Sequence, residues 1–173
     1  KATDGGGGIG IHIIQSLDEL LPLIGRTRQV ADHAFGSTRL YFEQYLENAS
    51  HIEVQIIGDQ HGQLVHLLER DCSIQRRNQK IIEETQASKL SPKIRRKIYH
   101  MALKLGKSIG YTNAGTVEFL VSADGSIYFL EMNTRLQVEH GVTELVTGVD
   151  LVELQIRVAN GEPLPMVQKD IKG

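Results

Sequence analysis

EFLVSADGSIYFLEMNTRLQVEH, residues 118–140, is the stretch on which the reading of this chain turns. Two β-type runs, GTVEFLV and SIYFLEM, flank Asp124-Gly125, a dipeptide suited to a tight hairpin turn. With Asp124 and Gly125 as the two loop residues, Glu118 faces Glu131 directly. Carboxylates opposite one another on one sheet face repel and would weaken a plain hairpin, whereas a divalent cation between them reverses the sign. Asn133, two residues beyond Glu131, shares that face if the strand continues. Glu118, Glu131 and Asn133 together offer the hard oxygen donors that Mg²⁺ or Mn²⁺ accepts, with positions left for water and phosphate. Arg135, Gln137, Glu139 and His140 follow at once as a dense polar run. A solvated strand end with scattered charges is the plainer alternative.

At 173 residues, 40% hydrophobic and 23% charged, the chain has the composition of a soluble globular protein with a core, as one domain or two small ones. A formal net charge of −2 gives no electrostatic case for nucleic acid or an anionic membrane as partner. The single Cys72 excludes an internal disulfide and any multi-cysteine metal site, and suits a reducing, cytoplasmic setting. No apolar run approaches the roughly 18 residues of a spanning helix. The chain opens on Lys1 and runs straight into glycines, which reads as the middle of a longer polypeptide.

KATDGGGGIGIHIIQS places five glycines within positions 5–10. Glycines let backbone N–H groups turn inward on an anion, although no Walker-type G-K-[ST] follows and a flexible linker is the other reading. IGIHII is a strand candidate. Ser16-Leu-Asp-Glu19 reads as a capping box opening a helix to about Ala34, and residues 40–46, LYFEQYL, as a short strand. HIEVQIIGD (51–59) and QLVHLLERD (63–71) form a hairpin around Gln60-His61-Gly62. Its first strand carries His51, Glu53 and Gln55 on one face, polar together where a core strand would not be. ERDCSIQRRNQKIIEE reads as a mixed-charge loop that permits an anion pocket. Ser91-Pro92 opens a helix with Ile94, Ile98, Met101, Leu105 and Ile109 on its inner stripe, and Asp150 with Glu153 caps a last one.

KATDGGGGIG, HIEVQIIGD, ERDCSIQRRNQK, GTVEFL and FLEMNTRLQVEHGVTELVTGVDLVE, in this order, resemble biotin carboxylase, a member of the ATP-grasp superfamily. The resemblance implies an α+β ATP-grasp fold that sandwiches ATP between two subdomains. Residues 1–45 would form the small glycine-rich lid, and 46–173 the first part of the larger antiparallel-sheet subdomain. The implied activity is ATP-dependent carboxylation of biotin with bicarbonate through carboxyphosphate. Lys1 and the backbone of Gly7 and Gly8 would grip the phosphates, and Glu43 and Leu46, in a strand leaving the lid, would meet adenine. His51 and Gln75 would contact the nucleotide. Glu118, Glu131 and Asn133 would hold two Mg²⁺ or Mn²⁺ ions, in agreement with the hairpin. Lys80, Arg135, Gln137 and the backbone of Val138 would bind bicarbonate, with Glu139 as general base and Arg135 beside biotin.

The resemblance further implies a biotinylated carrier domain, a carboxyltransferase domain in cis or in trans, and a parent that forms dimers. Residues 1–173 alone are expected not to hydrolyse ATP at a useful rate. GGGGIG, RRNQK and EET are most similar to the urea carboxylase branch. Ile9, Gln44, Asn78 and Gly141 depart from the residues the family usually carries there, as does Thr85-Gln86 from its common Ala-Pro. Another ATP-grasp ligase, of the carbamoyl-phosphate synthetase kind, shares the metal hairpin, and a nucleotide-binding module without turnover is a reading of a different class.

Overall fold

The computed structural model of the chain describes residues 1–5 and 9–173. They divide into two compact units: Lys1–Glu47 with Gln75–Lys80, and Asn48–Ile74 with Ile81–Gly173.

In the first unit a 3-10 turn, Leu17–Glu19, leads into α1, Leu20–Phe35. The expected capping box does not form. Ser16 is extended and makes no side-chain capping bond, while Glu19 Oε2 accepts the Gln15 N–H at 3.2 Å. Gly36 closes the helix in the left-handed region at φ 65°, its N–H returning to Asp32 O. Neither expected strand forms here. Residues 9–14 have no ladder, and of 40–46 only Leu40 bridges, to Ala2. Ile9, Ile11, Ile13, Phe42 and Tyr45 are exposed, and a β-type run without a pairing partner and a buried face does not become a strand.

The second unit is built on a sheet of β1 (Ser50–Gly58), β2 (Leu64–Arg76), β3 (Gln79–Glu84), β4 (Asn113–Val121) and β5 (Ile127–Asn133). The strand order is β3-β2-β1-β4-β5, with β1 antiparallel to β2 and β4, and β4 antiparallel to β5. The stretch expected as a mixed-charge loop is instead the outer half of β2, a turn and β3. Arg77 and Asn78, at φ 53° and 61°, make the two-residue turn that needs both central residues left-handed. The alternating charges of that stretch are therefore strand positions, and the tip from Gln75 to Lys80 clusters with the first unit.

Three helices complete the second unit: α2 (Pro92–Ser108), α3 (His140–Thr147) and α4 (Leu151–Ala159). Ser91 Oγ accepts the Ile94 N–H at 3.3 Å and Asp150 Oδ1 the Glu153 N–H at 2.8 Å, so both expected caps are present. Ile98, Ala102 and Gly106 are the buried stripe of α2. Ile109 lies past its end and is exposed, a correction to the expected inner face. Gly106 matters for contact: a Cβ there would stand 2.7 Å from Leu64 Cδ2 and 3.2 Å from Ile56 Cδ1, so a larger residue would have to push these core side chains aside.

The period-two alternation of β1 and β4 sends Ile52, Val54, Ile56, Val117, Phe119 and Val121 to the α2 side. On the opposite face the chemistry divides along the strands. Ile57, Val65, Leu67 and Ala114 pack under Leu151, Leu154 and Val158 of α4. Nearer the other end stand His51, Glu53, Gln55, Arg70, Thr116 and Glu118, all polar and all but His51 buried. A sheet face buried and polar over so many positions is costly unless its groups are paired, and this places the site.

On β2, His66 stacks on Tyr99 of α2, ring centroids 3.8 Å apart, while Gln168 brackets its backbone from both sides. Burial pushes the His66 pKa down to about 4. The unfolded chain takes up this proton near pH 6.5 and the folded chain only near 4, so the unfolded state binds more protons in between. Stability from this group is complete above pH 6.5 and is lost as pH falls toward 4. His66→Phe, which keeps the ring stack, is expected to flatten that part of the melting-temperature profile; an unchanged slope between pH 6.5 and 4 would refute the linkage.

Candidate functional site

Glu118 and Glu131 are paired residues on β4 and β5, but the turn that joins these strands is not the expected one. Ser122 N donates to Ser126 O at 3.0 Å, Gly125 N to Ser122 O at 2.9 Å, and Gly125 has φ 82°. The loop is thus one residue longer than Asp124-Gly125 alone, with Asp124 accepting from the Ser126 N–H. Near it, Leu120 pairs with Tyr128 and Phe119 with Phe129. Continued unbroken, that register would put Leu130 opposite Glu118. A bulge between Glu118 and Phe119 takes up the extra residue and restores Glu131.

The β1–β2 hairpin does the same. Ile56 pairs with His66, and by Val54 the partner is Glu69. Leu68, in the left-handed region at φ 67°, lies within this irregularity. Without it Glu53 would face Glu69; with it Glu53 faces Arg70. One slip brings two carboxylates together, and the other separates two and supplies a cation.

Glu118, 3% exposed, is the centre of the result. Its Oε2 lies 2.6 Å from His51 Nε2, and its Oε1 accepts from Asn133 Nδ2 at 2.8 Å and Gln137 Nε2 at 2.9 Å. Asn133 Nδ2 also reaches Glu131 Oε1 at 3.5 Å. One amide therefore bridges the two carboxylates, as a cation would. The donor set of Glu118, Glu131 and the Asn133 amide suits Mg²⁺ or Mn²⁺, whose remaining positions go to water and phosphate; Asn133 would turn its oxygen inward on binding. His51, Glu53 and Glu118 also offer ligand atoms within 4.8 Å of one another.

After β5 the chain runs through residues 134–139 into α3. Arg135 is exposed and its Nη1 donates to Leu136 O at 3.2 Å. Gln137 is buried, while Val138 is 96% exposed. Glu139 occupies the N-cap position of α3 without a side-chain capping bond. Its carboxylate lies within 4.8 Å of a Glu53 carboxylate oxygen and of Cys72 Sγ.

In the first unit, Lys1 Nζ pairs with Glu43 Oε1 at 2.5 Å and lies 5.2 Å from the centre of the Tyr41 ring. Burial opposes the charge on Lys1, but the hydrogen bonds to Glu43 and Tyr41 and their charge outweigh it, and its pKa stands above the ordinary value. Glu43 and Leu46 lie in irregular backbone, not in a strand. Gln75 and Lys80 belong to this unit through the β2–β3 tip. Gly7 and Gly8, expected at the phosphates, lie outside the described residues. A cavity of about 540 Å³ in this unit, lined among others by Arg28, Arg39 and Phe42, is bordered by none of the residues expected to act.

Arg70, Thr116 and Thr143 escaped the sequence reading. All are buried, and Arg70 is the largest fully buried side chain among the described residues. The available signal was its place one residue beyond Glu69 in a strand facing Glu53, which only the bulge makes legible.

The chain belongs to the family described as carbamoyl-phosphate synthase L chain, ATP binding domain, which it matches over residues 1–167. Within that family its similarity is to biotin carboxylases. It is 53% identical over 171 residues to a pyruvate carboxylase component of Methanothermobacter thermautotrophicus, covering 99% of this chain and 35% of that one. To biotin carboxylase 2 of Bacillus subtilis it is 52% identical over 172 residues, covering 99% and 39%. Among solved structures, a biotin carboxylase–βγ-ATP complex from Campylobacter jejuni matches with a TM-score of 0.95 and 48% identity, over 97% of this chain and 37% of that one. The biotin carboxylase domain dimer of Hydrogenobacter thermophilus 2-oxoglutarate carboxylase, in complex with MgADP, ADP and bicarbonate, matches with a TM-score of 0.96 and 49% identity, over 99% and 38%. The fold is the ATP-grasp fold of these enzymes, and the chain spans a little over a third of the length of each. No helix among the described residues is long and apolar enough to cross a membrane.

Proposed function

We propose that this chain is part of a biotin carboxylase, which uses ATP to activate bicarbonate as carboxyphosphate and transfers the carboxyl group to N1 of biotin. The observation that carries this reading is the convergence of His51, Asn133 and Gln137 on Glu118, with Glu131 paired opposite. Glu118, Glu131 and Asn133 would hold Mg²⁺ or Mn²⁺, which supplies charge neutralisation for the transferring phosphoryl group. Arg135, Gln137 and the Val138 N–H orient bicarbonate, the guanidinium offering a planar fork to a carbonate-type anion. Glu139 takes the bicarbonate proton, a role that suits a carboxylate set apart along the chain from the metal ligands. Lys1, Gly7, Gly8, Glu43, Leu46, His51 and Gln75 are assigned to the nucleotide, and Lys80 to bicarbonate, on the family resemblance. The proposed lid is residues 1–45.

A carrier domain bearing biotin, a carboxyltransferase, a dimeric parent and a cytoplasmic setting accompany this reading. Urea as final acceptor is the finer proposal and rests on GGGGIG, RRNQK and EET, whereas the relatives named above include pyruvate and 2-oxoglutarate carboxylases.

The test is ADP release by the complete polypeptide carrying this sequence, with Mg²⁺ and free biotin. Bicarbonate-dependent turnover with carboxybiotin as product is the expected result. Carbamoyl phosphate formed from ammonia would support a synthetase instead, and nucleotide binding without turnover would support a non-catalytic module.

A further inference from the structure

Arg70 carries more contacts than its ion pair requires. Its side chain is fully buried and sits on β2 opposite Glu53. A guanidinium has five N–H donors, and each has a partner here. Nε donates to Glu53 Oε1. Nη1 donates to Gln55 Oε1 at 2.8 Å and Thr143 Oγ1 at 2.9 Å. Nη2 donates to Thr116 Oγ1 and Gln137 Oε1, both at 3.3 Å. The partners come from β1, β4, α3 and the loop that holds Gln137.

Stability is a poor account of this arrangement. A buried ion pair recovers little beyond its desolvation cost, and apolar replacements of similar volume are often no worse. Orientation is a better one. A glutamine amide has an acceptor end and a donor end, and in a dry pocket each must meet its complement. Arg70 can only donate, so the end of Gln137 facing it must be Oε1. The NH₂ group then points the other way, where it donates to Glu118 Oε1 at 2.9 Å. Reversed, the amide would set NH₂ against a guanidinium and a carbonyl oxygen against a carboxylate, two repulsive contacts in place of two attractive ones.

We propose that Arg70 is a positioning residue: it fixes the Gln137 side-chain amide so that its donor end faces the carboxylate site. The bond to Thr143 ties the same guanidinium to α3, whose first turn follows Glu139, and so keeps the 134–139 loop in register with the sheet. This inference rests on the assignment of Gln137 to bicarbonate.

The test uses the complete polypeptide and steady-state KM values for bicarbonate and ATP. Arg70→Lys keeps a positive charge near Glu53 but offers a compact ammonium in place of the fork. It is expected to raise the bicarbonate KM about 10- to 100-fold, the usual effect of removing a residue that orients a ligand group, and to leave the ATP KM within about threefold. Gln137→Ala supplies the second arm, and the double variant closes the cycle. If Arg70 acts through Gln137, adding Arg70→Lys to Gln137→Ala changes the bicarbonate KM by less than about threefold. An undiminished effect in that background overturns the positioning role while leaving the Gln137 assignment standing. A normal bicarbonate KM in Gln137→Ala removes that assignment, and the inference with it. Should Arg70→Lys fail to fold, Thr143→Val decides, since it is nearly isosteric and removes one anchor of the guanidinium. A bicarbonate KM raised at least about threefold with ATP unaffected supports the role, and an unchanged value overturns it.

Discussion

Glu139→Gln in the complete polypeptide is expected to lower biotin carboxylation by about 10²- to 10⁴-fold in kcat, the usual worth of general-base assistance, with ATP and Mg²⁺ binding nearly intact. The substitution keeps size and the capacity for hydrogen bonding, and removes the negative charge and with it the ability to take a proton. Glu139 stands at the start of α3, with its carboxylate toward Glu53 and Cys72. Glu118, by contrast, is held by His51, Asn133 and Gln137. Calorimetry of nucleotide binding and product formation at saturating bicarbonate separate the two properties. Carboxylation within about threefold of wild type, far below the usual base contribution, would show that another group takes the proton.

Glu118→Gln should fail differently. Asn133 and Gln137 each direct an N–H at Glu118 Oε1 while His51 Nε2 meets Oε2, and an amide in its place can present an acceptor at only one of these two positions. The expected result is a loss of Mn²⁺ and metal–nucleotide affinity of about 10- to 100-fold, as for changes that disturb a metal site. A destabilisation of about 1–3 kcal/mol should accompany it from the buried donors left without an acceptor. Glu131→Gln is the control. Glu131 is exposed, so it should lose metal affinity with little change in melting temperature. Mn²⁺ titration followed by thermal melting of the same samples checks both. If Glu118→Gln binds Mn²⁺ as wild type does, the paired carboxylates are not the metal site.

The residue types of the site were legible in the sequence because hard oxygen donors and a period-two strand pattern carry their own chemistry. Glu118, Glu131 and Asn133 could be placed on one face from the strand spacing and the assumed turn. Yet the pairing of Glu118 with Glu131 holds for a different reason than the turn suggested: the loop is longer, and the bulge between Glu118 and Phe119 compensates. Nothing in Leu68 announces a left-handed backbone, a conformation that bulky residues rarely adopt. The pairing of Glu53 with Arg70 was therefore hidden, and with it the network that orients Gln137. Arg70 in turn read as one more charge where a strand passes into a mixed-charge loop, because the length of β2 depends on neighbours distant in sequence. In the first unit, IGIHII and LYFEQYL show the converse. Local β propensity was plain, but pairing is a tertiary property.

Both irregularities lie between a hairpin's turn and its chemistry, which makes each hairpin a vernier with two independently set scales. The outer scale, Ile127–Phe129 against Phe119–Val121, is read from the turn; the inner one, Glu131–Asn133 against Thr116–Glu118, is read from the neighbouring strands. Changes in turn length spend themselves on the outer scale. The exposed tip at Asp124 is accordingly a place to splice in a short peptide tag or a spectroscopic label without resetting the pairing of the carboxylates.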